Sequence, residues 1–265
     1  MYRSLTILVL LFLSPVAIAQ DFVKERLNSS PRHHEWVQIK QGKRIVHCFV
    51  VFPEVKEKAT AVLVIHENKG LTDWVRSVAD QLAEAGYIAI APDLLSGMGP
   101  NGGKTSDIAS PDAATQVLSK LPAEQVTADL NTVSDYVLKL PACNGKLTVC
   151  GFCWGGGQTM RFATNRNDLK AAFVFYGSYQ HKKEELTRIV CPIHGFYGGN
   201  DARINATIPH TTEMMKEVGK TYEPVIYEGA GHGFMRSGED PKGTEANRNG
   251  RTKAWERWMQ LLKNV

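Results

Sequence analysis

Residues 149–157, VCGFCWGGG, bring two cysteines into one short stretch. Counted from Cys150 to Cys153 they form C-x-x-C, the spacing of a redox pair or of half a zinc site. Counted from Gly151 to Gly155 they form G-x-C-x-G, the spacing of a thiol nucleophile on a strand-to-helix turn. The glycines at 151, 155 and 156 favour the second reading, because such an elbow is strained and packs its backbone too closely for a flanking Cβ. A helix that starts directly behind Cys153 favours an anion there and offers free backbone N–H groups, which makes the Trp154 N–H a candidate oxyanion donor. A redox pair would need its first cysteine at the helix start, whereas Cys150 falls inside a predicted strand and would not face Cys153 at disulfide distance. A zinc site would need a second ligand pair, which neither His33 and His34 nor His66 supplies.

A thiol nucleophile needs a base, and the base needs a group to orient it. Downstream, HGFYGGNDARI places Asp201 in a glycine-rich turn after a strand, and VIYEGAGHGFM places His232 in a loop after the next one. Nucleophile, acid and histidine then follow in the chain order of an elbow hydrolase. Each alone is an ordinary turn residue; three in order, each at a strand's carboxyl end, form a constellation.

The elements that must position them alternate between short apolar runs and stretches of helical period, the pattern of βαβ units. Strands are predicted at residues 44–51, 61–66, 88–91, 147–151, 171–176, 193–197 and 222–227, and helices at 73–85, 123–138, 154–164, 208–218 and 244–262. Runs such as AVLVIH and AAFVFY are apolar throughout, as expected of a sheet covered on both faces. The fold class is therefore α/β, a mostly parallel central sheet with helices on both faces in a single domain. Residues 36–42, WVQIKQG, suit an antiparallel entry hairpin with the first of these strands. Residues 96–111, SGMGPNGGKTSDIASP, read as a long loop lying over the carboxyl edge of the sheet, where α/β proteins bind ligands.

Together GFCWGG, GGND and GAGHGF resemble the dienelactone hydrolase family, the cysteine-nucleophile branch of the α/β-hydrolases, with the similarity running from about residue 44 to 262. The resemblance implies an α/β-hydrolase fold and hydrolysis of activated carboxylic esters or lactones, with no cofactor and no metal. It places Glu67, in VIHENKGL, beside the resting thiol as a second proton acceptor, and makes the Asn68 N–H the second oxyanion donor. It matches Arg236 to one of two arginines that hold a substrate carboxylate. The other should follow PDL, where this chain has LSGMGPNGG and no arginine, so dienelactone itself is not implied. Lys69 and Lys104 are candidate replacements, and Tyr176 and Trp154 candidate pocket residues. A general short-chain carboxylesterase, a redox protein and a catalytically silent binding protein remain the competing classes.

The first 19 residues have Arg3 at the start, an apolar run at 5–13 and Ala17-x-Ala19, the pattern of a secretory signal peptide cut after Ala19. The expected organisation is a signal at residues 1–19 and one hydrolase-like domain at 20–265, periplasmic or secreted, without stable membrane insertion once cut. A formal net charge of +4, from 31 basic and 27 acidic side chains without charged blocks, gives no nucleic-acid footprint. The expected partner is a small ester or lactone, with an anionic one as an option, and the expected state a monomer or homodimer. Five cysteines leave at least one thiol free, and pairing among Cys48, Cys143, Cys150 and Cys191 is open.

Overall fold

A computed structural model describes residues 15–180 and 182–265. The strands are β1 (His33–Gln41), β2 (Arg44–Phe52), β3 (Ala59–Ile65), β4 (Ile88–Asp93), β5 (Cys143–Phe152), β6 (Leu169–Phe175), β7 (Ile193–Gly198) and β8 (Tyr222–Tyr227). The helices are α1 (Pro15–Ser29), α2 (Asp73–Glu84), α3 (Pro111–Leu118), α4 (Ala123–Leu138), α5 (Trp154–Ala163), α6 (Lys183–Leu186), α7 (Ala202–Asn205), α8 (Ile208–Glu217), α9 (Phe234–Ser237) and α10 (Glu245–Lys263). All eight strands form one sheet in the order β1-β2-β4-β3-β5-β6-β7-β8. The β1–β2 hairpin and the β2–β4 pair are antiparallel, and the remaining neighbours are parallel.

Strand alternation divides the core into two layers. Leu63, Ile65, Val149 and Val174 face the layer closed by Val126, Leu130 and Val133 of α4 and Met160 of α5. Val62, Val64, Phe152, Phe173 and Phe175 face the layer closed by Val75, Val78 and Leu82 of α2 and by Trp258 of α10. Every residue of β3 is buried, as a strand packed on both faces must be.

The predicted strands and helices are present within a few residues. β5 begins at Cys143 rather than at 147, because Asn144 and Gly145 read as a turn in isolation while Cys143 pairs with Ala59 across a register shift. Five of the helices fall outside the predicted set: α6, α7 and α9, each a single turn of four residues, and two longer ones. The first of the longer two is α1, Pro15–Ser29, which runs across the expected cleavage point after Ala19; residues 1–14 of the expected signal lie outside the described residues. The second is α3, which ends the long loop with Ser110 as N-cap, its Oγ accepting from the Ala113 N–H at 3.1 Å, and Pro111 in its first turn. The loop before it contains two short 3-10 turns, Pro100–Gly102 and Thr105–Asp107. Among the described residues no helix is long and apolar enough to cross a membrane.

Candidate active site

Cys153 stands between β5 and α5 with φ 55° and ψ −114°, a conformation that costs a non-glycine residue about 1–3 kcal/mol. The turn is held by its neighbours: the Cys153 N–H donates to the Phe175 carbonyl at 3.0 Å, and the Gly156 N–H to the Cys153 carbonyl at 3.0 Å. A Cβ on Gly151 would collide with the Gly155 carbonyl, and one on Gly155 with the carbonyls of Ile65 and His66. Those contacts let α5 begin directly against the ends of β3 and β5. The Trp154 N–H, in the first turn of α5, has no acceptor within its own helix.

The ends of β7 and β8 bring the other two members to the thiol. His232 Nε2 lies 3.3 Å from Cys153 Sγ, and His232 Nδ1 lies 2.5 Å from Asp201 Oδ2. Asp201 is buried, and its other oxygen accepts from the Ile204 N–H at 3.4 Å as the N-cap of α7. The His232 pKa is raised to about 9, first by its hydrogen bond to Cys153, with burial opposing and Asp201 adding to the rise. The Tyr176 ring stands edge-on to the imidazole, centroids 5.2 Å apart.

Glu67 is buried in the turn after β3, with its Oε2 accepting from Arg236 Nε at 2.9 Å. The structure pairs one oxygen of this carboxylate with Arg236, because a buried carboxylate takes the cation that α9 presents to it. Arg236 is half exposed and lines a cavity of about 400 Å³ together with Glu67 and Lys69, whereas Lys104 stacks over the Trp36 ring at 3.9 Å. Asn68 is in the same turn as Glu67, its carbonyl accepting from Thr115 Oγ1 at 3.1 Å. Tyr176, just past β6, is fully buried at φ 39° and its hydroxyl makes no hydrogen bond of ordinary geometry. Burial first, then the nearby Glu67 carboxylate, pushes its pKa well up.

Sequence reasoning did not assign the residues that hold these turns. His66 is fully buried, donates from Nδ1 to the Glu67 carbonyl at 2.7 Å and accepts at Nε2 from the Leu94 N–H at 3.2 Å. Burial lowers its pKa, so it is a neutral brace, stacked on Trp154 at 5.5 Å. Asp93 accepts from the Leu95 and Thr105 N–H groups at 3.0 and 2.9 Å and from Thr105 Oγ1 at 2.7 Å. Thr105 Oγ1 in turn accepts from the Leu71 N–H at 3.1 Å, tying the long loop to the Glu67 turn. The only signals were a histidine at a strand end and an aspartate in PDL. All five cysteines are free thiols, Cys150 buried on the α2 face of the sheet, so the C-x-x-C is no disulfide. Among the described residues no His, Cys, Asp and Glu cluster has the arrangement of a metal site.

Comparisons with known proteins agree with this geometry. Residues 46–265 match the model of the dienelactone hydrolase family. A Salmonella typhimurium protein named "Putative carboxymethylenebutenolidase" is 33% identical over 184 residues, 65% of this chain and 67% of its own. A protein of the same name from Saccharolobus solfataricus is 29% identical over 251 residues, 83% of this chain and 94% of its own. Among solved structures, one titled as a putative dienelactone hydrolase from Klebsiella pneumoniae superposes with a TM-score of 0.77 at 25% identity, over 88% of this chain and 99% of that one. A dienelactone hydrolase-like promiscuous phosphotriesterase from metagenomic libraries shares the fold, with a TM-score of 0.74 at 19% identity over 88% and 98% of the two chains. With a family model that covers all but the first 45 residues, and an elbow, acid turn and histidine loop that meet in space, the chain belongs to the dienelactone hydrolase family.

Proposed function

We propose that the protein hydrolyses carboxylic esters or lactones, with Cys153 as nucleophile, His232 as proton carrier and Asp201 as the group that orients it. The observation that carries this reading is the Asp201–His232–Cys153 relay, 2.5 and 3.3 Å, on a strained elbow. His232 Nε2 takes the Cys153 proton, and the sulfur attacks the carbonyl carbon, forming a C–S bond. The carbonyl oxygen becomes an oxyanion received by the N–H groups of Trp154 and Asn68. As it collapses, the C–O bond to the alkoxide or enolate breaks, and that oxygen takes the proton from His232, leaving a thioester. Water then gives a proton to His232 while its oxygen attacks the thioester; the C–S bond breaks, the acid leaves and the proton returns to sulfur.

Replacing Cys153 by Ala should lower kcat on an activated aryl ester by about 10⁴-fold or more, as loss of a nucleophile does in triad hydrolases. The wild type should accumulate an acyl-thioester visible as a mass increase, and Cys153→Ala should not. Undiminished hydrolysis by Cys153→Ala would remove the assignment. Residues 1–19 we read as an export signal, which predicts a mature N-terminus at Gln20 by N-terminal sequencing of the exported protein.

A further inference from the structure

Both oxyanion donors are backbone groups, so their aim depends on what holds the backbone around them. The Trp154 N–H is fixed by the first turn of α5. The Asn68 N–H lies in the turn after β3, outside any helix or strand, and needs a support of its own. One buried side chain is placed to give it. The His66 imidazole is fully buried, and its two nitrogens face two backbone groups that each allow a single role. The Glu67 carbonyl, 2.7 Å from Nδ1, can only accept, and the Leu94 N–H, 3.2 Å from Nε2, can only donate. The ring is therefore neutral, with its proton on Nδ1. Burial, which lowers its pKa, acts in the same sense.

We propose that His66 is a positioning residue for the oxyanion hole, aiming the Asn68 N–H by holding the Glu67 carbonyl; the inference rests on the hydrolytic reading above. The link between the two groups is covalent. The Glu67 C=O and the Asn68 N–H belong to one planar trans peptide unit, in which the two bonds point in opposite directions. A contact that fixes the direction of the carbonyl therefore fixes that of the N–H. The same carbonyl also takes the Gly70 N–H at 3.3 Å, but that bond is internal to the turn and rotates with it. Thr115 Oγ1 holds the Asn68 carbonyl, which belongs to the next peptide unit. His66 instead ties the 67–68 unit to the end of β4, where the Asp93 carboxylate accepts from the Leu95 N–H at 3.0 Å and steadies the turn that carries the Leu94 N–H. The ring also reaches the residue of the other donor, stacking on the Trp154 indole with centroids 5.5 Å apart and planes 17° apart. Gly155 sets the spacing between the two, since its missing Cβ lets α5 press against the Ile65 and His66 carbonyls. One side chain thus relates both donors to a common frame.

The test separates oxyanion stabilisation from thiol reactivity in the whole protein. His66→Phe keeps a flat ring against Trp154 and removes both the donor and the acceptor, whereas His66→Gln restores one of each through its amide. On p-nitrophenyl acetate, His66→Phe should lower kcat by about tenfold or more with KM changed by less than about threefold, because the donors act on charge that develops only in the transition state. His66→Gln should recover most of the lost kcat. Alkylation of Cys153 by iodoacetamide displaces iodide at a saturated carbon and forms no oxyanion, so its rate should stay within about twofold of the wild type in both variants. Nuclear magnetic resonance of the ring nitrogens in the wild type, a measurement that requires no variant to fold, should find the His66 proton on Nδ1 and none on Nε2. Undiminished kcat in His66→Phe, a parallel fall of kcat and alkylation in both variants, or a proton on Nε2 would each overturn the inference while leaving Cys153 chemistry standing. Failure to cleave any ester, or full cleavage by Cys153→Ala, would overturn the hydrolytic reading on which it rests.

Discussion

At the scale of single residues, the charge state of the relay is decided between three side chains. His232 is raised to about 9 chiefly by its hydrogen bond to Cys153, then by Asp201, against the opposing effect of burial. Because this value lies above the ordinary 6.5, the proton on His232 stabilises the folded chain. That contribution is fully present below about pH 6.5 and is lost as pH rises through about 9. The imidazolium is also the acid that protonates the leaving oxygen, so the acylation rate should fall along an alkaline limb near pH 9. Nuclear magnetic resonance titration of the His232 ring should find the same value, and should find it lower in Cys153→Ala and in Asp201→Asn. An unchanged titration in Cys153→Ala would mean that the thiol is not the partner that raises it.

At the scale of elements, each chemical residue sits where a strand stops, and the turns after β3 and β4 are braced by buried polar groups. Thr105 is the joint between them, bonded to Asp93 of β4 and to the Leu71 N–H beyond β3. Thr105→Val keeps the shape and removes the hydroxyl, leaving a buried carboxylate oxygen and an amide short of a partner. It should cost about 1–3 kcal/mol in denaturant unfolding. It should also speed limited proteolysis within residues 96–110, while Cys153 keeps its reactivity; equal proteolysis of both proteins would mean that the loop is held elsewhere. The same elements show what a sequence reveals of such a site. Gly151, Gly155, Cys153, Asp201 and His232 were legible because their chemistry forces residue types at fixed offsets. The Glu67–Arg236 pair, whose partners are 169 positions apart, and the Thr105 joint have no local signature, since only the folded sheet brings them together. α1 escaped notice because its residues looked like the flank of an export signal, and α3 because its cap, Ser110-Pro111, closes a glycine-rich loop.

At the scale of the whole molecule, stability comes from two continuous apolar layers and from polar clasps that fasten the N-terminal segment to them. Asp80, fully buried in α2, accepts from Ser30 Oγ at 2.6 Å and from Arg32 Nε and Nη2 at 2.9 and 2.6 Å, and bonds His34 Nε2 at 2.8 Å. Arg26 of α1 reaches Glu239 beyond α9 in the same way. A chain of this size buries enough surface to fold without covalent staples, so its cysteines are free to serve as core residues or as a nucleophile. Four of them serve the core: Cys48, Cys143, Cys150 and Cys191 are buried, and burial pushes the thiols of Cys48 and Cys150 well up and that of Cys191 to about 12. Only Cys153 is partly exposed, with an imidazole at 3.3 Å to take its proton. An aromatic disulfide reagent should therefore titrate one thiol per native chain, and none in Cys153→Ala. In guanidinium, without any reductant, it should titrate all five cysteines of the wild type. Three thiols in guanidinium would mean that one pair bridges in the mature protein. Two or more reacting quickly in the native state would mean that the sheet does not shield Cys150, and would reopen the C-x-x-C reading that its burial closes.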